Sequence, residues 1–325
     1  MKAVTFTKYG DPDALQLKEV ERPIPNDNEV LVNVHAASIN SWDWELLRGT
    51  PFLNRLMFGL LKPKKINILG CDIAGEVKAL GNSIKHLQIG DAVFGDLSAN
   101  SWGGFAEYLC APEDALTIKP ASISYEQAAS IPQAALLAFQ AVVDRGGVRH
   151  GQKVLINGAG GGAGTFAIQI AKTYGAEVTA VDSTSKLELM RTLGADHVMD
   201  YTQENYTKNG QTYDLIVDFS ADHSFFDCKN ALKPKGVFLM VGGSSGLANK
   251  FLLLGVFISM TSSKRMGLLL HQPNKGLKRL IELIEAGTVK PVIDRCYPLH
   301  KTADAFRYFA TGKVQGKLLI DIKKS

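Results

Sequence analysis

The sequence predicts an α/β protein in which a small antiparallel β-barrel is combined with a doubly wound parallel sheet. Short strands punctuated by glycines fill the first 120 residues, strands and helices alternate from residue 153, and extended segments return near residue 291. The length of 325 residues suits about two domains. Apolar residues make up 46% of the chain and charged residues 21%, so wholesale disorder is excluded.

The predicted barrel rests on strand periodicity and on glycine spacing. Glu29–Ala36 alternates apolar and polar residues with the period of a half-buried strand. Lys2–Thr7, Ile73–Leu80 and Asp91–Phe94 are further predicted strands. Glycines at positions 70, 75, 81, 90, 95, 103 and 104 place turns at short intervals, as in a small antiparallel barrel.

The second half alternates between helical and extended patterns. A helical period covers 124–144, and Ser124 with Gln127 forms a predicted capping box at its start. Continuously apolar strands separated by helices predict a parallel sheet covered on both faces. The predicted elements are strands Lys153–Asn157, Glu177–Asp182, His197–Asp200, Asp214–Phe219 and Gly236–Val241, and helices Thr165–Tyr174 and Lys186–Leu193.

The tail departs from this alternation. Helices are predicted at Leu277–Glu285 and Thr302–Thr311, and extended segments at Pro291–Tyr297 and Lys317–Ile322. We expect the tail to return to the first domain, because its last strand needs a partner there.

Charge, cysteines and hydropathy exclude several classes of protein. The net charge of +4 and the lack of a basic block argue against a nucleic-acid partner. The four cysteines show no metal-ligand spacing, so no structural zinc site is expected, and no disulfide framework is expected in a chain of this length. The first residues lack an apolar signal-peptide core, so a cytoplasmic location is expected. Phe251–Met260, the longest apolar run, is about half as long as a membrane-spanning helix.

A glycine-rich turn between a predicted strand and a predicted helix is the most informative motif. Its glycines allow a tight bend and a close approach to an anion, and the helix start offers free N–H groups to a pyrophosphate. Aligned on its last glycine, the motif has alanine in its first position. We predict a dinucleotide site formed by Gly158, Ala159, Gly160, Gly161, Gly162, Ala163 and Gly164.

The residues after the second strand give conflicting signals on the nucleotide. Asp182 lies where a carboxylate would accept hydrogen bonds from the adenosine ribose, which favours NADH. Ser183, Thr184 and Lys186 follow at once and offer hydroxyls and a cation to a 2′-phosphate, which favours NADPH. The alternative for Lys186 is an ordinary surface residue in the first turn of a helix.

Several stretches together resemble the medium-chain dehydrogenase/reductase superfamily, and within it the zinc-independent quinone oxidoreductases. The most similar branch is the plant envelope-type and reticulon-interacting mitochondrial one. The resemblance covers nearly the whole chain. Its specific stretches are Val34–Asp43, Gly70–Val77, Ile89–Gly95, Gly103–Tyr108, Ala128–Gln140, Leu193–Tyr201 and Gly312–Ile320.

The resemblance implies a GroES-like catalytic β-barrel domain formed by 1–122 and 275–325, and an inserted Rossmann domain over 123–274. It also implies a cofactor cleft between the domains, NADPH as the usual donor and a homodimer. NADH is the alternative because of Asp182. Leu137 departs from the threonine that many relatives place near the nicotinamide. By the resemblance, Tyr201 lies on the adenosine phosphate side of the cofactor and Lys317 matches a lysine that can reach its phosphates. Val241, Gly242 and Gly243 follow a strand predicted to end beside the nicotinamide, and Ser220 ends the preceding strand.

The zinc enzymes of the superfamily have ligands that this chain lacks. Their catalytic cysteine falls in the segment from Ser38 to Asn40, and their His-Glu pair is replaced by Cys71-Asp72. Without these ligands no metal can polarise an alcohol. We therefore expect no zinc, and an NAD(P)H-dependent transfer of hydride to a quinone or an α,β-unsaturated carbonyl.

Asn40 and Asp43 are the candidate catalytic residues. Asn40 would orient the nicotinamide ribose or a substrate carbonyl, or else hydrogen-bond its own backbone in a turn. Asp43 would supply a proton only if its pKa is raised, and its alternative role is the N-cap of a helix through Leu47.

A zinc-free alcohol dehydrogenase and a non-catalytic member of the fold that binds NAD(P)H or RNA are the competing functions. The apolar segment 250–270 is predicted to contain a dimer-facing strand and a helix lining the substrate cleft. Its alternative is a weak contact with a membrane surface, through Lys250, Lys264 and Arg265.

Overall fold

The computed structural model describes residues 1–64, 66–100, 102–221, 223–242 and 262–323. Its strands are β1 (Lys2–Thr5), β2 (Gln16–Glu19), β3 (Glu29–Ile39), β4 (Asp72–Leu80), β5 (Ala92–Asp96), β6 (Tyr108–Pro112), β7 (Thr117–Ile118), β8 (Lys153–Asn157), β9 (Glu177–Asp182), β10 (His197–Asp200), β11 (Tyr213–Asp218), β12 (Leu232–Met240), β13 (Arg265–Leu268), β14 (Ile293–Pro298) and β15 (Lys317–Asp321). Its α-helices are α1 (Ser41–Arg48), α2 (Phe52–Phe58), α3 (Tyr125–Ala129), α4 (Pro132–Phe139), α5 (Gly162–Thr173), α6 (Leu187–Thr192), α7 (Phe225–Asn230), α8 (Leu277–Glu285) and α9 (Thr302–Ala310).

The chain forms two compact units. The first contains Met1–Gln133, Pro273–Leu277 and Ile293–Ser325, and the second contains Ala134–Gln272 and Lys278–Val292. These bounds differ from the predicted ones. Segment 123–133 joins the first unit because α3 packs on β3, β4 and β5.

The first unit is built on a mainly antiparallel sheet with the order β14-β15-β3-β4-β5-β7. Strand β3 changes partner along one edge, since its first half pairs with β6 and its second half with β15. The return of the tail to this unit is therefore confirmed for 293–325, whereas 278–292, with most of α8, belongs to the second unit. Phe105 and Phe306 lie in the core of the unit, with ring centroids 5.9 Å apart in an edge-to-face arrangement.

The second unit is built on a parallel sheet with the order β10-β9-β8-β11-β12-β13. Its strands are apolar because both faces are covered, as the sequence predicts. Leu155, Ile216 and Phe238, from the adjacent inner strands β8, β11 and β12, belong to one buried cluster. No helix among the described residues is both long and apolar enough to cross a bilayer.

The predicted helix over 124–144 is interrupted in the structure. Ser124 accepts a hydrogen bond from the N–H of Gln127 at 3.2 Å, so the predicted capping box is confirmed. Helix α3 then ends at Ala129, and α4 begins at Pro132. Proline has no N–H to continue a helix and disfavours helical backbone at the residue before it, which explains the break. A π-helical segment, Gln140–Arg145, follows α4.

Candidate functional site

The glycine-rich turn of the second unit connects β8 to α5. The N–H groups of Gly158 and Ala159 both donate to the carbonyl of Val181 on β9, at 3.0 Å. Gly161 is the N-cap of α5 and has no side chain to cap the helix. The first-turn N–H groups of a helix have no partner within it, so they and the helix dipole form a site for an anion.

Two glycines of the turn are required by close packing. A Cβ on Gly164 would lie 2.3 Å from the carbonyl oxygen of Gly158, and φ of Gly158 is +78°. A Cβ on Gly158 would also lie 2.9 Å from Oγ of Ser220. Both positions therefore need glycine, and Ala163 is the only one of the first three residues of α5 that has a side chain. This cradle fits the pyrophosphate of a dinucleotide.

Asp182, at the end of β9, fixes the glycine-rich turn through its side chain. Its Oδ2 accepts the N–H of Gly160 at 2.9 Å, and its Oδ1 accepts the N–H of Ser183 at 2.8 Å. The side chain of Asp182 is 8% exposed and that of Lys186 is 9% exposed, and they form an ion pair at 3.2 Å. The alternative that Lys186 is a surface residue is therefore wrong. Gly160 makes room for this lysine, because a Cβ there would lie 2.6 Å from Cδ of Lys186.

The other predicted contacts of the adenosine side lie beside Asp182. Asp200 pairs with Asp182 between β10 and β9, and Thr184 donates its hydroxyl to the Asp200 carboxylate. Tyr201 donates its N–H to the carbonyl of Asp182 at 3.2 Å, and its side chain is 57% exposed. The predicted adenosine-side residues that follow β9 and β10 are therefore linked by hydrogen bonds at the ends of these two neighbouring strands.

The predicted residues of the nicotinamide side lie at the ends of neighbouring strands. Ser220 follows β11, and its N–H donates to Oδ1 of Asp218 at 3.1 Å. Val241 follows β12, and its N–H donates to the carbonyl of Asp218 at 2.9 Å. A Cβ on Gly242 would lie 2.9 Å from the carbonyl oxygen of Phe219, so the backbones approach closely there. Gly243 lies outside the described residues, as does 250–261 of the predicted apolar segment.

The first unit contains a separate buried polar cluster, which follows from strand register. Ser38 of β3 pairs with Asp72 of β4, and Asp72 pairs with Asp96 of β5. Directly paired residues point to the same face of a sheet, so these polar side chains are brought together. Asp72 accepts hydrogen bonds from the Ser38 hydroxyl at 3.2 Å, the Asn40 side-chain amide at 3.0 Å and the Gln133 N–H at 3.1 Å.

Asn40 and Asp43, the predicted catalytic pair, are both buried in this cluster. Asn40 is the N-cap of α1, so the alternative of Asp43 as the N-cap is wrong. The Asp43 carboxylate accepts the N–H of Asn40 at 2.8 Å and the N–H of Gly70 at 2.7 Å. Burial raises the pKa of Asp43 to about 7, although these two hydrogen bonds oppose the shift. Asp43 thus holds the backbone of Asn40 in place.

Lys317 of β15 supplies the positive charge of the cluster. The lysine is 3% exposed, and its ammonium donates to the side-chain oxygen of Asn40 and lies 3.7 Å from Asp72. Burial raises the pKa of the Asp72 carboxyl, and Lys317 opposes that shift. In the structure this ammonium is held within the first unit. Its contact with cofactor phosphates stays a prediction.

Cys71, Asp72 and Asp96 present ligand atoms that all lie within 4.8 Å of one another. The set fits zinc poorly for two reasons. Burial, and then the neighbouring carboxylates, raise the pKa of the Cys71 thiol well above its ordinary value, whereas zinc binds thiolate. Asp72 already has three hydrogen-bond donors and the Lys317 ammonium as its cation. We therefore assign no metal to this cluster.

The raised pKa of Asp43 predicts a pH dependence of stability. The folded protein keeps a proton on Asp43 up to about pH 7, whereas the unfolded chain releases it near the ordinary value of 3.8. Stability contributed by this group is therefore lost as the pH rises through that window, by about 2–4 kcal/mol. Denaturant unfolding of the wild type and of Asp43→Asn measures the effect.

The difference between the two unfolding free energies should fall between about pH 4 and pH 7 and then level off. Using the difference cancels His35, whose pKa burial lowers to about 4 and which contributes the opposite trend. A difference that stays constant or grows with pH contradicts the assignment.

Family models match three parts of the chain. An alcohol dehydrogenase GroES-like domain matches residues 26–121, an alanine dehydrogenase/PNT C-terminal domain matches 133–219, and a zinc-binding dehydrogenase matches 193–320. A curated relative, NAD(P)H oxidoreductase RTN4IP1, mitochondrial, of Mus musculus, is 33% identical and covers 99% of this chain and 89% of its own length. The chain belongs to the medium-chain dehydrogenase/reductase superfamily, within its quinone oxidoreductase family.

Two further proteins of known name are similar to this family member over nearly its whole length. It is 32% identical to 2-methylene-furan-3-one reductase of Solanum lycopersicum, over 98% of this chain and 79% of the relative. The solved quinone oxidoreductase from Coxiella burnetii is 30% identical and has a TM-score of 0.88, with 99% of both chains covered. The chain is therefore an NAD(P)H-dependent oxidoreductase with a GroES-like domain and a Rossmann-like parallel sheet.

Sequence reasoning missed two members of the buried cluster of this oxidoreductase. Asp96 ends β5, and Gln133 lies in the first turn of α4. Both lie in or beside stretches that carry the family resemblance. Asp96 lies beside Asp72 because of the register of β4 and β5, and Gln133 reaches Asp72 because the helix breaks before Pro132. Hydrophobic periodicity reveals neither of these features.

Proposed function

We propose that the chain reduces quinones and α,β-unsaturated carbonyls with NADPH, without a metal. The relatives named as a quinone oxidoreductase and a furanone reductase support this substrate class. The observation that carries the metal-free chemistry is the Lys317 ammonium, which lies within 3.7 Å of Asp72. A conjugated acceptor needs no Lewis acid, because conjugation delocalises the charge that follows hydride transfer.

The chain's own residues have distinct tasks in this proposal. The bound nucleotide supplies the hydride. The start of α5 holds the pyrophosphate on the backbone N–H groups of Gly162, Ala163 and Gly164, and Asp182 fixes the turn before it through Gly160. Asp43 and Lys317 fix Asn40 from two sides, one through its backbone and the other through its side-chain oxygen. A rigidly held amide is suited to orienting a polar group of a substrate or a ribose.

Oxidation of NADPH by the purified protein, followed spectrophotometrically, tests the function. A quinone and a cyclic enone should both be reduced, with no loss of rate after incubation with a chelator. A simple alcohol with the oxidised nucleotide should give no turnover. Activity that requires added zinc contradicts the metal-free proposal, and flat traces with every quinone and enone contradict the substrate class.

The preference for NADPH rests on the hydroxyls and the cation beside Asp182. Removing the negative charge in Asp182→Asn should raise the ratio of NADPH to NADH affinity by about tenfold, because a carboxylate repels a 2′-phosphate. Asparagine keeps an oxygen that can accept the N–H of Gly160, so the turn is retained. Fluorescence titration with both nucleotides measures the ratio.

Glu177→Gln is the matched control, since it removes a carboxylate from the other end of the same strand, β9. Its affinity ratio should equal that of the wild type. An unchanged ratio in Asp182→Asn means that the 2′-group does not bind beside this carboxylate.

A further inference from the structure

Helix α2 of the first unit exposes its apolar side chains and buries a polar one. Phe52, Leu53, Leu56 and Met57 are between 49% and 61% exposed. Asn54 is 7% exposed, and its amide donates to the carbonyl of Thr50 at 3.0 Å. The four apolar positions share one broad helix face, because residues three and four apart in sequence, such as Leu53 with Leu56 and Phe52 with Leu56, are neighbours on a helix. The arrangement is the reverse of an ordinary surface helix.

Two more exposed apolar side chains follow the helix closely in sequence. Leu60 is 52% exposed and Leu61 is 89% exposed. We call Phe52, Leu53, Leu56, Met57, Leu60 and Leu61 the apolar patch. Single exposed apolar side chains are common on proteins, but a contiguous group of this kind marks a contact surface.

Polar contacts hold the backbone of this segment in place, while the side chains of the patch stay exposed. The Arg55 guanidinium donates to the carbonyl of Gly49 at 3.0 Å, and the Tyr9 hydroxyl donates to the carbonyl of Gly59 at 2.7 Å. Arg55 also lies over the ring of Tyr9, 5.1 Å from its centroid. The exposed side chains are therefore displayed by a fixed backbone.

The charged residues within and next to the patch in sequence are all basic. No aspartate or glutamate occurs between Leu46 and Cys71, a stretch that contains Arg48, Arg55, Lys62, Lys64 and Lys65. Lys62 and Lys64 are exposed and directly follow the patch. An apolar face bordered by cations is suited to the boundary between acyl chains and anionic headgroups.

We propose that the apolar patch, with Lys62 and Lys64, docks this protein on the surface of an anionic lipid bilayer. A second copy of the chain fits the surface less well, because a two-fold interface would bring two sets of cations together. The residues of the patch are other than those of segment 250–270. The inference does not depend on the proposed substrate class.

Flotation of the full chain with vesicles tests the inference. The protein should float with vesicles of equal parts phosphatidylcholine and phosphatidylglycerol, and much less with phosphatidylcholine alone. Added salt should weaken the binding, because it screens the lysines from the headgroups. The substitution Leu56→Ser should lower the partition coefficient by about tenfold, through lost apolar burial.

A matched pair of exposed residues provides the control. Leu61 is 89% exposed and Ile24 is 87% exposed, so Leu61→Ser and Ile24→Ser remove apolar side chains of equal exposure. Only Leu61→Ser should weaken binding to the vesicles. Equal binding of the two variants, or no flotation of the wild type with anionic vesicles, overturns the inference. A dimer in light scattering that becomes a monomer in Leu56→Ser assigns the patch to a second copy and also overturns it.

Discussion

Replacing Gly164 by alanine is expected to abolish useful nucleotide binding and to destabilise the second unit. The added Cβ would lie 2.3 Å from the carbonyl oxygen of Gly158 and 2.5 Å from Cα of Ala159, and both are backbone atoms that cannot turn aside. The helix must therefore move away from the strand. We expect a loss of about 1–3 kcal/mol in unfolding free energy and of about 100-fold or more in NADPH affinity. Denaturant unfolding and fluorescence titration measure the two effects.

The substitution Gly161→Ala separates the effect on stability from the effect on NADPH affinity. Its Cβ would meet only the carbonyl oxygen of Gly158, at 3.4 Å, and its φ of −83° suits any residue. Stability should therefore stay close to the wild-type value, while NADPH affinity falls because a methyl group enters the space next to the helix start. Wild-type affinity in both variants would mean that the pyrophosphate does not bind at this turn.

Replacing Lys317 by methionine is expected to have the largest effect in the first unit. The variant leaves the fully buried Asp72 carboxylate without the ammonium that lies 3.7 Å away, and it removes the donor to the Asn40 side-chain oxygen. Breaking a buried ion pair by removing one partner costs about 3–5 kcal/mol. Chemical unfolding should show this loss, and the rate of NADPH oxidation should fall with it.

Two further variants make this prediction specific. Lys317→Met combined with Asp72→Asn should recover part of the lost stability, because no unpaired carboxylate is then buried at this position. Lys313→Met removes an exposed lysine nearby in sequence and should leave stability within about 0.5 kcal/mol of the wild type. If the double variant is less stable than Lys317→Met alone, the ion pair does not account for the loss.

Much of the second unit can be predicted from its sequence because local pattern and tertiary contacts agree there. The strand from Lys153 to Asn157, the glycine turn and the helix that follows are continuous in sequence, so the anion cradle is visible before any fold is known. The contacts of Asp182 with Gly160 and Lys186 are harder to predict from the sequence. The contact with Gly160 depends on how β9 lies beside β8, and the burial of Lys186 depends on the missing side chain of Gly160.

The cluster of the first unit is harder to predict because its members come from distant parts of the chain. Asn40 and Lys317 meet because β15 pairs with the end of β3, a long-range contact that periodicity does not encode. The pKa of Asp43 is likewise a consequence of complete burial. The apolar helix α2 escapes prediction for a different reason, since its residues match a core helix and only the structure shows that they face solvent.

A structure determined with bound NADPH tests the central claim most directly. Pyrophosphate oxygens are expected within hydrogen-bonding distance of the backbone N–H groups of Gly162, Ala163 and Gly164, and a 2′-phosphate is expected beside Ser183, Thr184 and Lys186. A nucleotide bound elsewhere on the chain, with the start of α5 empty at saturating NADPH, would contradict it.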